Sequence, residues 1–195
     1  MALATPVRAM LAHARSKAWA AALAIYERAR KEDIAPLDLI TRSAVASACE
    51  RGRHWAAALS VLLEGAGADA GLDLHAYSIA ISACERGPGW EAAIALFQRM
   101  QHEALRPNVI ACNAAISACQ RGHHWRHALA LFREFPQRGL EPSLVSYNAS
   151  ISSCAKGHQW PLALALFAEM KLTRLRPEVM TYNALISACG NGHEW

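Results

Sequence analysis

The sequence has few of the features that mark a membrane protein, a disordered tail or a disulfide-rich domain. No apolar run reaches the roughly 18–20 residues that a membrane-spanning helix needs; the longest, such as Ala18 to Tyr26, are about half that length. Charged residues make up 18% against 53% hydrophobic residues, which excludes a disordered charged tail. Six cysteines in 195 residues are too few for a disulfide-held mini-fold. The net charge of +4 allows a polyanionic partner without requiring one.

The sequence instead repeats itself every 35 residues, after a first step of 36. One tryptophan marks each step, at Trp19, Trp55, Trp90, Trp125, Trp160 and Trp195. Cysteines and glycines keep the same step, at Cys49, Cys84, Cys119, Cys154 and Cys189 and at Gly52, Gly87, Gly122, Gly157 and Gly192. The repeat predicts a single array with an atypical unit at 1–38, full units at 39–73, 74–108, 109–143 and 144–178, and a truncated unit at 179–195.

Each unit is predicted to contain two helices, as unit 109–143 illustrates. Residues Val109 to Arg121 are apolar at helical spacing and stop at Gly122, where glycine is typical of the left-handed residue that ends many helices. Trp125 opens a second apolar stretch, which the segment Arg138 to Pro142 breaks. Neither helix buries its apolar stripe alone, whereas stacked units do. The predicted fold is therefore an all-α, right-handed α-solenoid of helix–turn–helix repeats.

The repeated cysteines, tryptophans and methionines are interpreted as packing residues. The cysteine of each unit acts as a small hydrophobe on the buried side of the first helix, and successive cysteines are too far apart for a disulfide or a shared metal. The tryptophans are interpreted as wedges between helices, and Met100 and Met170 as core residues. Unit 39–73 departs from the others, because Arg42 replaces Tyr or Cys and the glycines of Gly65 to Ala68 predict an early end of the second helix.

Several positions of the unit recur together as a motif. First helices contain Tyr147-Asn148-Ala149-Ser150-Ile151 and Tyr182-Asn183-Ala184-Leu185-Ile186, and a second helix contains Ala163-Leu164-Ala165-Leu166-Phe167-Ala168-Glu169-Met170 followed by Leu175-Arg176-Pro177. This pattern resembles the pentatricopeptide repeat, with its Tyr-Asn-x-Leu-Ile start, Ala-Leu-x-Leu-Phe-x-x-Met second helix and Gly-Leu-x-Pro close. The resemblance covers four units in register, half a unit at 179–195 and only the second helix of 1–38. Residues 1–16 lack the Tyr-Asn start, so they form a terminal cap or a degenerate unit.

The resemblance implies sequence-selective binding of single-stranded RNA, about one base per unit, on a face lined by the first helices. A bulky residue early in each first helix is implied to stack on a base, at Ile40, His75, Ile110, Val145 and Met180. A polar residue three places further on is implied to read the base together with the last residue of the unit. These pairs are Ser43 with Asp73, Ser78 with Asn108, Asn113 with Ser143, and Asn148 with Glu178, while Asn183 has no partner in the chain. Asn and Ser at a helix start are also typical caps, and this alternative stays open.

The chemistry of these pairs suggests which bases they select. Asp73 only accepts hydrogen bonds, which suits the N1–H and N2–H₂ donors of guanine, whereas Asn108 donates and accepts, which suits adenine. A short serine leaves room for a purine, and a longer asparagine reaches a pyrimidine edge. In the family the array runs parallel to the RNA, from 5′ to 3′. The four pairs therefore predict guanine, adenine, a cytosine-leaning pyrimidine and a second pyrimidine.

A cation recurs near the end of the first helices, at Arg51, Arg86, Arg121 and Lys156. One positive charge per unit is predicted to follow a phosphate backbone of matching repeat. The alternative is a C-terminal cation that the helix dipole favours. Both roles are compatible with the same residue.

Other classes of function find less support in the residues. No nucleophile–base pair, phosphate loop or paired carboxylates are visible, so the chain is not predicted to be an enzyme. His123 and His127 are four residues apart and close to Cys119 in sequence, but the turn at Gly122 interrupts the helix that a metal site would need. Neither a metal nor a cofactor is therefore predicted. A protein–protein interaction scaffold is the alternative function, although a scaffold does not require polar residues in fixed register.

The resemblance also carries the predicted location and role. It implies a mitochondrial or plastid protein in RNA processing, stability or translation, with other RNA-processing proteins as further partners and no membrane. Residues 1–26 carry Arg8, Arg15 and Lys17 without an acidic residue, faintly like a transit segment. Trp19 is nevertheless in phase with the repeat, which favours a folded segment. The end of the chain at Trp195, in mid-unit, predicts a fragment or a chain whose bounds are misplaced.

Overall fold

The structure, a computed structural model, describes residues 9–10, 12–13, 18–32, 38–63, 71–87 and 89–191, without the side chains of Arg86 and Asn191. The regular elements in these residues are helical. They are α1 (Trp19–Lys31), α2 (Leu39–Arg51), α3 (Trp55–Leu63), α4 (Leu74–Arg86), α5 (Trp90–His102), α6 (Val109–Arg121), α7 (Trp125–Arg133), a 3₁₀ turn (Pro136–Arg138), α8 (Leu144–Lys156), α9 (Trp160–Leu172) and α10 (Val179–Asn191). Among these helices, none is both long enough and apolar enough to cross a bilayer.

First and second helices alternate with the period of the sequence. The first helices of the repeat are α2, α4, α6, α8 and α10, and their first residues are 35 positions apart. The second helices from α3 onward each begin at the repeated tryptophan, again 35 positions apart. The predicted all-helical, repeat-built architecture is confirmed in the described residues.

The chain divides into two compact units, Met1–Gly87 and Pro88–Trp195. In the first, α2 packs against α1 and α4, and α3 lies against both α2 and α4. In the second, the first helices α6, α8 and α10 pack side by side. Each of α7 and α9 contacts the first helix before it and the one after it, so each covers two neighbours at once. In each compact unit the first helices and the second helices therefore bury each other, which is the packing expected of stacked repeats.

The cores of both units lie where first helices meet second helices. Tyr77, Phe97, Tyr147 and Ile151 are among the largest side chains that are fully buried. Met100 and Met170 are buried as well, which confirms their interpretation as core residues.

The repeated cysteines behave as small hydrophobes, as predicted. Cys49, Cys84, Cys119 and Cys154 are free and buried, and so is Cys112, which stands outside the repeat phase. Burial raises the pKa of each of these five thiols to about 11. Since a neutral thiol is the stable form in this environment, the cysteines contribute packing rather than reactivity.

The helix breaks at the repeated glycines are confirmed, but the predicted left-handed conformation is wrong. The glycines that follow α2, α6 and α8 have φ angles of −73°, −75° and −86°, at Gly52, Gly122 and Gly157. The left-handed residue comes one position later, with φ angles of 65°, 62° and 55° at Arg53, His123 and His158. A different requirement must therefore explain the glycines.

That requirement is space for the tryptophan of the preceding repeat. A Cβ atom on Gly157 would lie 2.2 Å from Cδ1 of Trp125. The same contact recurs at 2.6 Å with a tryptophan 32 or 33 residues earlier, for Gly52 on Trp19, Gly87 on Trp55 and Gly122 on Trp90. Each indole thus lies across the end of the next first helix, where only glycine fits. This contact confirms the tryptophans as wedges between helices.

The second helix of unit 109–143 ends earlier than the predicted break at Arg138. α7 is 9 residues long, whereas α5 and α9 each have 13. Pro136 explains the difference, because proline has no N–H to donate and its ring clashes with the carbonyl four residues earlier in a helix. The chain continues as a 3₁₀ turn from Pro136 and reaches a left-handed Gly139, whose φ is 67°.

Unit 39–73 shows its departures in the first compact unit. Arg42 is buried in place of the tyrosine found at Tyr147, and its Nη1 donates to the carbonyl of Leu62 at 3.3 Å. Its Nε finds no acceptor in the described residues. α3 ends at Leu63, and Gly65 to Ala68, where the early end was predicted, lie outside the described residues.

Candidate nucleic-acid interface

Each first helix exposes a bulky side chain at its second residue. The residues with implied base-stacking roles are Ile40, His75, Ile110, Val145 and Met180, which we call the exposed series. The four apolar members are 57–74% exposed. Single exposed apolar residues are common on protein surfaces, but here they recur at one position of each first helix. In the second compact unit, Ile110, Val145 and Met180 stand on three helices that pack side by side, α6, α8 and α10.

The polar residues three positions further on are less exposed. Ser43 and Ser78 are 5% and 6% exposed, whereas Asn113 and Asn148 are half-buried and Asn183 is exposed. The Ser78 hydroxyl donates to the carbonyl of Leu74 at 2.8 Å, and the Ser43 hydroxyl has no partner among the described residues. The two serines therefore present less side chain to a ligand than the asparagines do.

The last residues of three units cap the first helix that follows. Their side-chain oxygens accept from the backbone N–H three positions on, at 2.7 Å for Asp73, 2.8 Å for Asn108 and 3.3 Å for Ser143. Asp38 caps α2 in the same way, and hydrogen bonds from Thr41 lower the pKa of its carboxyl. The capping role that the sequence left open is thus present.

Capping uses one side-chain oxygen and leaves the rest of the group available. Asp73 keeps its second carboxylate oxygen, and Asn108 keeps its amide nitrogen, without a hydrogen-bond partner in the described residues. Both atoms are the kind that a nucleobase edge pairs with. Capping therefore does not compete with base contact at these positions.

The two paired positions inside the second compact unit come together. Asn113 Nδ2 donates to the Ser143 hydroxyl at 3.3 Å. Asn148 and Glu178 are connected through Thr181, whose hydroxyl donates to Asn148 Oδ1 at 2.6 Å and accepts from the Glu178 N–H at 3.1 Å.

The other two pairs show no such connection within a compact unit in the described residues. Among the described residues, no hydrogen bond connects Ser43 with Asp73, although both lie in the first compact unit. Ser78 belongs to the first compact unit and Asn108 to the second.

The hydroxyl residues that hold this network were not predicted from the sequence. Ser146 is fully buried and donates to Asn113 Oδ1 at 2.6 Å, as Thr181 does to Asn148 one repeat later. The available signal was their position, since both stand two residues before an asparagine of the Tyr-Asn motif. The motif by itself does not reveal that they contact the preceding repeat.

The cations at the ends of the first helices differ in their surroundings. Arg51 and Arg121 are exposed. Lys156 Nζ donates to the backbone carbonyl of Gln120 at 3.2 Å, near the end of the preceding first helix. This contact is the favourable interaction of a cation with a helix C-terminus. The side chain of Arg86 lies outside the described residues, and the predicted alignment of all four cations stays a prediction.

The histidines near the turn of unit 109–143 are engaged in ring contacts. The His124 ring stacks on Trp90 with 3.6 Å between centroids, and His127 lies 5.9 Å from His124. His54 stacks on Trp19 at the same 3.6 Å in the first compact unit. Across the described residues, no group of three or more His, Cys, Asp or Glu side chains is placed to hold a metal ion.

Comparison with known proteins identifies the repeat. A profile described as the pentatricopeptide repeat domain matches residues 95–157 and 130–192, which together span half of the chain. The chain therefore belongs to the pentatricopeptide repeat family. No curated protein matches the sequence at a significant level.

Solved structures of the same family superpose on the chain. The pentatricopeptide repeat protein PPR10 in complex with an 18-nt psaJ RNA element has a TM-score of 0.80 and 27% sequence identity over 96% of this chain. PPR10 from maize has a TM-score of 0.71 at 27% identity over 95% of this chain. The chain spans about a quarter of the length of PPR10, with 27% and 26% of that protein covered.

A more distant structure shares the fold alone. The PPR domain of Arabidopsis thaliana protein-only RNase P 1, in complex with tRNA, has a TM-score of 0.70 at 17% identity, covering 82% of this chain and 83% of that domain. These likenesses agree with the α-solenoid fold class predicted from the sequence.

Proposed function

We propose that the chain binds single-stranded RNA in a sequence-selective way, with about one base for each full repeat. The observation that carries this proposal is a pair of side chains on one first helix that recurs on each of the neighbouring first helices α6, α8 and α10. An exposed apolar residue precedes an asparagine by three positions in Ile110 and Asn113, in Val145 and Asn148, and in Met180 and Asn183. An apolar surface suits the face of a base, and an amide suits its edge. The similarity to PPR10, described in complex with RNA, supports the same function.

The proposed contacts divide into three roles. The exposed series stacks on bases, which contributes about 1–3 kcal/mol per base for aromatic platforms and less for aliphatic ones. The polar pairs read base edges, and Arg51, Arg86, Arg121 and Lys156 contact phosphates. His75 is the one member of the series whose ring offers a flat stacking surface.

From the four pairs of the full units we propose that the preferred RNA sequence is guanine, adenine, a cytosine-leaning pyrimidine and a second pyrimidine. Glu178 makes the fourth position the least defined, because the family typically has Asp, Asn or Ser there and the side chain of Glu is one methylene longer than that of Asp. Its exposed carboxylate suits a water-bridged contact with the base. Four bases recur about once in 256 random positions, so the chain by itself does not specify one transcript.

The experiment that tests this function is the salt dependence of binding to a short RNA that contains 5′-GACC, compared with single-stranded DNA of the same sequence. Three or four neutralised phosphates predict a slope of log K against log salt of about −2 to −3. Replacing Arg121 with Gln should reduce the slope by about 0.7 without changing base preference. Arg174→Gln, which removes an exposed cation at the end of a second helix, is the matched control. Binding that is absent, or independent of salt and of base sequence, would favour the scaffold alternative.

We further propose a role in organellar RNA processing, stability or translation, which rests on the family resemblance. The test is microscopy of a fluorescent fusion of the natural full-length protein in its own cells. Fluorescence outside mitochondria and plastids contradicts this part of the proposal and leaves RNA binding unaffected.

A further inference from the structure

Two buried hydroxyl groups reach from one repeat to the base-reading asparagine of the repeat before it. Ser146 and Thr181 are the third residues of α8 and α10, and both are fully buried. Ser146 Oγ lies 2.6 Å from Asn113 Oδ1, and Thr181 Oγ1 lies 2.6 Å from Asn148 Oδ1. The same contact thus occurs twice, one repeat apart, in the second compact unit.

The geometry determines which group donates the proton. A separation of 2.6 Å is typical of an O–H donor to an oxygen acceptor, whereas N–H donors usually stand about 2.9–3.0 Å away. Each hydroxyl oxygen also accepts a backbone N–H of the residue three positions earlier, at 3.0 Å from Ser143 and 3.1 Å from Glu178. The hydroxyl proton therefore points to the asparagine; for Ser146 the other nearby oxygen, Ser143 Oγ, is more distant at 3.1 Å. Each asparagine oxygen thus accepts one hydrogen bond from the following repeat.

The amide nitrogens are left to face other partners. Asn113 Nδ2 uses one hydrogen on the Ser143 hydroxyl at 3.3 Å. Asn148 Nδ2 has no hydrogen-bond partner among the described residues. A primary amide carries two N–H donors, so each asparagine retains at least one donor for a ligand. Because each oxygen is directed to a buried hydroxyl, the orientation of both side chains leaves an N–H donor for a ligand.

The sequence follows the same rule in the repeats that lack an asparagine. The third residues of successive first helices are Ala76, Ala111, Ser146 and Thr181, and the reading residues of the preceding repeats are Ser43, Ser78, Asn113 and Asn148. In the sequence, the repeat after each of these asparagines has a hydroxyl residue at the third helix position, and the repeat after each of these serines has an alanine there. This pairing has a physical reason, because an amide has two orientations that present opposite chemistry. A serine hydroxyl turns freely and needs no such support.

We propose that Ser146 and Thr181 are positioning residues that fix the amide orientation of Asn113 and Asn148. In this orientation the two asparagines select bases that offer an acceptor, such as the O2 atom of a pyrimidine. The inference rests on the proposed function, since it concerns how the third and fourth bases are chosen. It adds a residue from the following repeat to the pair that reads each of these bases.

The test uses the whole chain and a panel of RNAs that differ only at the fourth base. Thr181→Val keeps the shape of the side chain and removes the hydroxyl, while Thr181→Ser keeps the hydroxyl. We expect Thr181→Val to reduce the preference for pyrimidine over purine at the fourth base about fivefold, as expected for one hydrogen bond. Thr181→Ser should retain the preference, and neither variant should change selection at the third base. Ser146→Ala should have the converse effect, on the third base alone.

A second measurement needs no RNA. In the ¹⁵N-labelled protein, Thr181→Val should shift or broaden the side-chain amide signals of Asn148, which Asn148→Asp identifies by their loss. Thermal unfolding of each variant confirms that it is folded under the conditions of the assay. Unchanged amide signals in folded Thr181→Val, or an unchanged preference at the fourth base, would overturn the inference while RNA binding stands. A parent chain that binds no RNA overturns the proposed function and, with it, base selection by Thr181.

Discussion

The first helices of this protein have two contrasting faces. On the packed face a cysteine and a glycine recur at fixed positions, with Cys119 and Cys154 buried at equivalent places and a glycine after α2, α4, α6 and α8 that the tryptophan of the preceding repeat explains. The exposed face carries the series from Ile40 to Met180 and, beside it, polar residues that change from serine to asparagine along the chain. The cysteine and glycine positions of the packed face are therefore uniform, whereas the polar positions proposed to read bases vary. This contrast predicts that stability and base selection can be changed separately.

Replacing one isoleucine on each face should separate the two properties most clearly. Ile151 is fully buried, whereas Ile110 is 64% exposed. Ile151→Ala should lower the free energy of unfolding by about 2–5 kcal/mol, because it leaves a cavity in the core. Ile110→Ala should change it by less than about 0.5 kcal/mol and weaken RNA binding by less than the roughly 1–3 kcal/mol of an aromatic platform. Urea unfolding and RNA titration of both variants check this, and equal losses of stability would remove the distinction between the faces.

A single methyl group at the repeat glycine should also act on stability alone. In Gly157→Ala the new Cβ would lie 2.2 Å from Trp125 Cδ1, so the indole must move. Overpacking of this kind costs about 1–3 kcal/mol. Gly89→Ala is the control, because its Cβ would meet only Ala92 at an ordinary 3.6 Å. Thermal unfolding measures both, and a Gly157→Ala protein as stable as Gly89→Ala would show that the indole contact does not require glycine.

On the exposed side, Asp73→Asn should alter base selection with little effect on stability. Asparagine caps a helix as well as aspartate does, so α4 keeps its start. The first base should change from guanine towards adenine, by about tenfold in relative affinity, as expected for one or two hydrogen bonds. Selection from a random RNA pool measures the change, and the other three positions should stay as they are.

The control for this substitution is Asp38→Asn. Asp38 caps α2 with the same geometry, but its unit lacks the Tyr-Asn start. Base preference should therefore be unaffected. If Asp73→Asn weakened all sequences equally, Asp73 would be a cap only.

The last expected effect is confined to alkaline pH and concerns the thiols of the packed face. Burial raises the pKa of Cys112, Cys119 and Cys154 from 9.0 to about 11. The unfolded chain therefore loses thiol protons before the folded one does, and stability should fall as pH rises from about 9 to about 11. Below pH 9 the ionisation of these thiols should not change the free energy of unfolding. Urea unfolding at several pH values checks this, and replacing the three cysteines with alanine should flatten the alkaline fall.

Much of the fold followed from the spacing of residues along the chain. The period of the tryptophans placed the start of the second helices, and the repeated glycines placed the end of the first helices, because packing contacts recur with the repeat. The left-handed conformation was predicted at Gly122, but the structure has it at His123. Local sequence favours glycine in that conformation, but Trp90 of the preceding repeat occupies the space above Gly122. A rule based on the turn alone does not include this contact.

The interface was predictable only in part for a similar reason. The exposure of Ile110, Val145 and Met180 agrees with their place in the repeat. The hydrogen bond from Ser146 to Asn113 joins residues 33 positions apart, so it depends on how neighbouring repeats stack. The early end of α7 had a local signal in Pro136, which the helical spacing of the surrounding apolar residues obscured.

The caps at Asp73, Asn108 and Ser143 have a consequence for how specificity changes during evolution or engineering. Each of these residues caps the next first helix. The residue types suited to the last position of a repeat are therefore those that cap helices well. Exchanging one member of that set for another would change the proposed base preference and keep the cap of the following helix. Glu178 is outside the set, and the backbone there relies on the Thr181 hydroxyl instead. If the array reads bases as proposed, single substitutions within that set would change its target and be nearly neutral for folding.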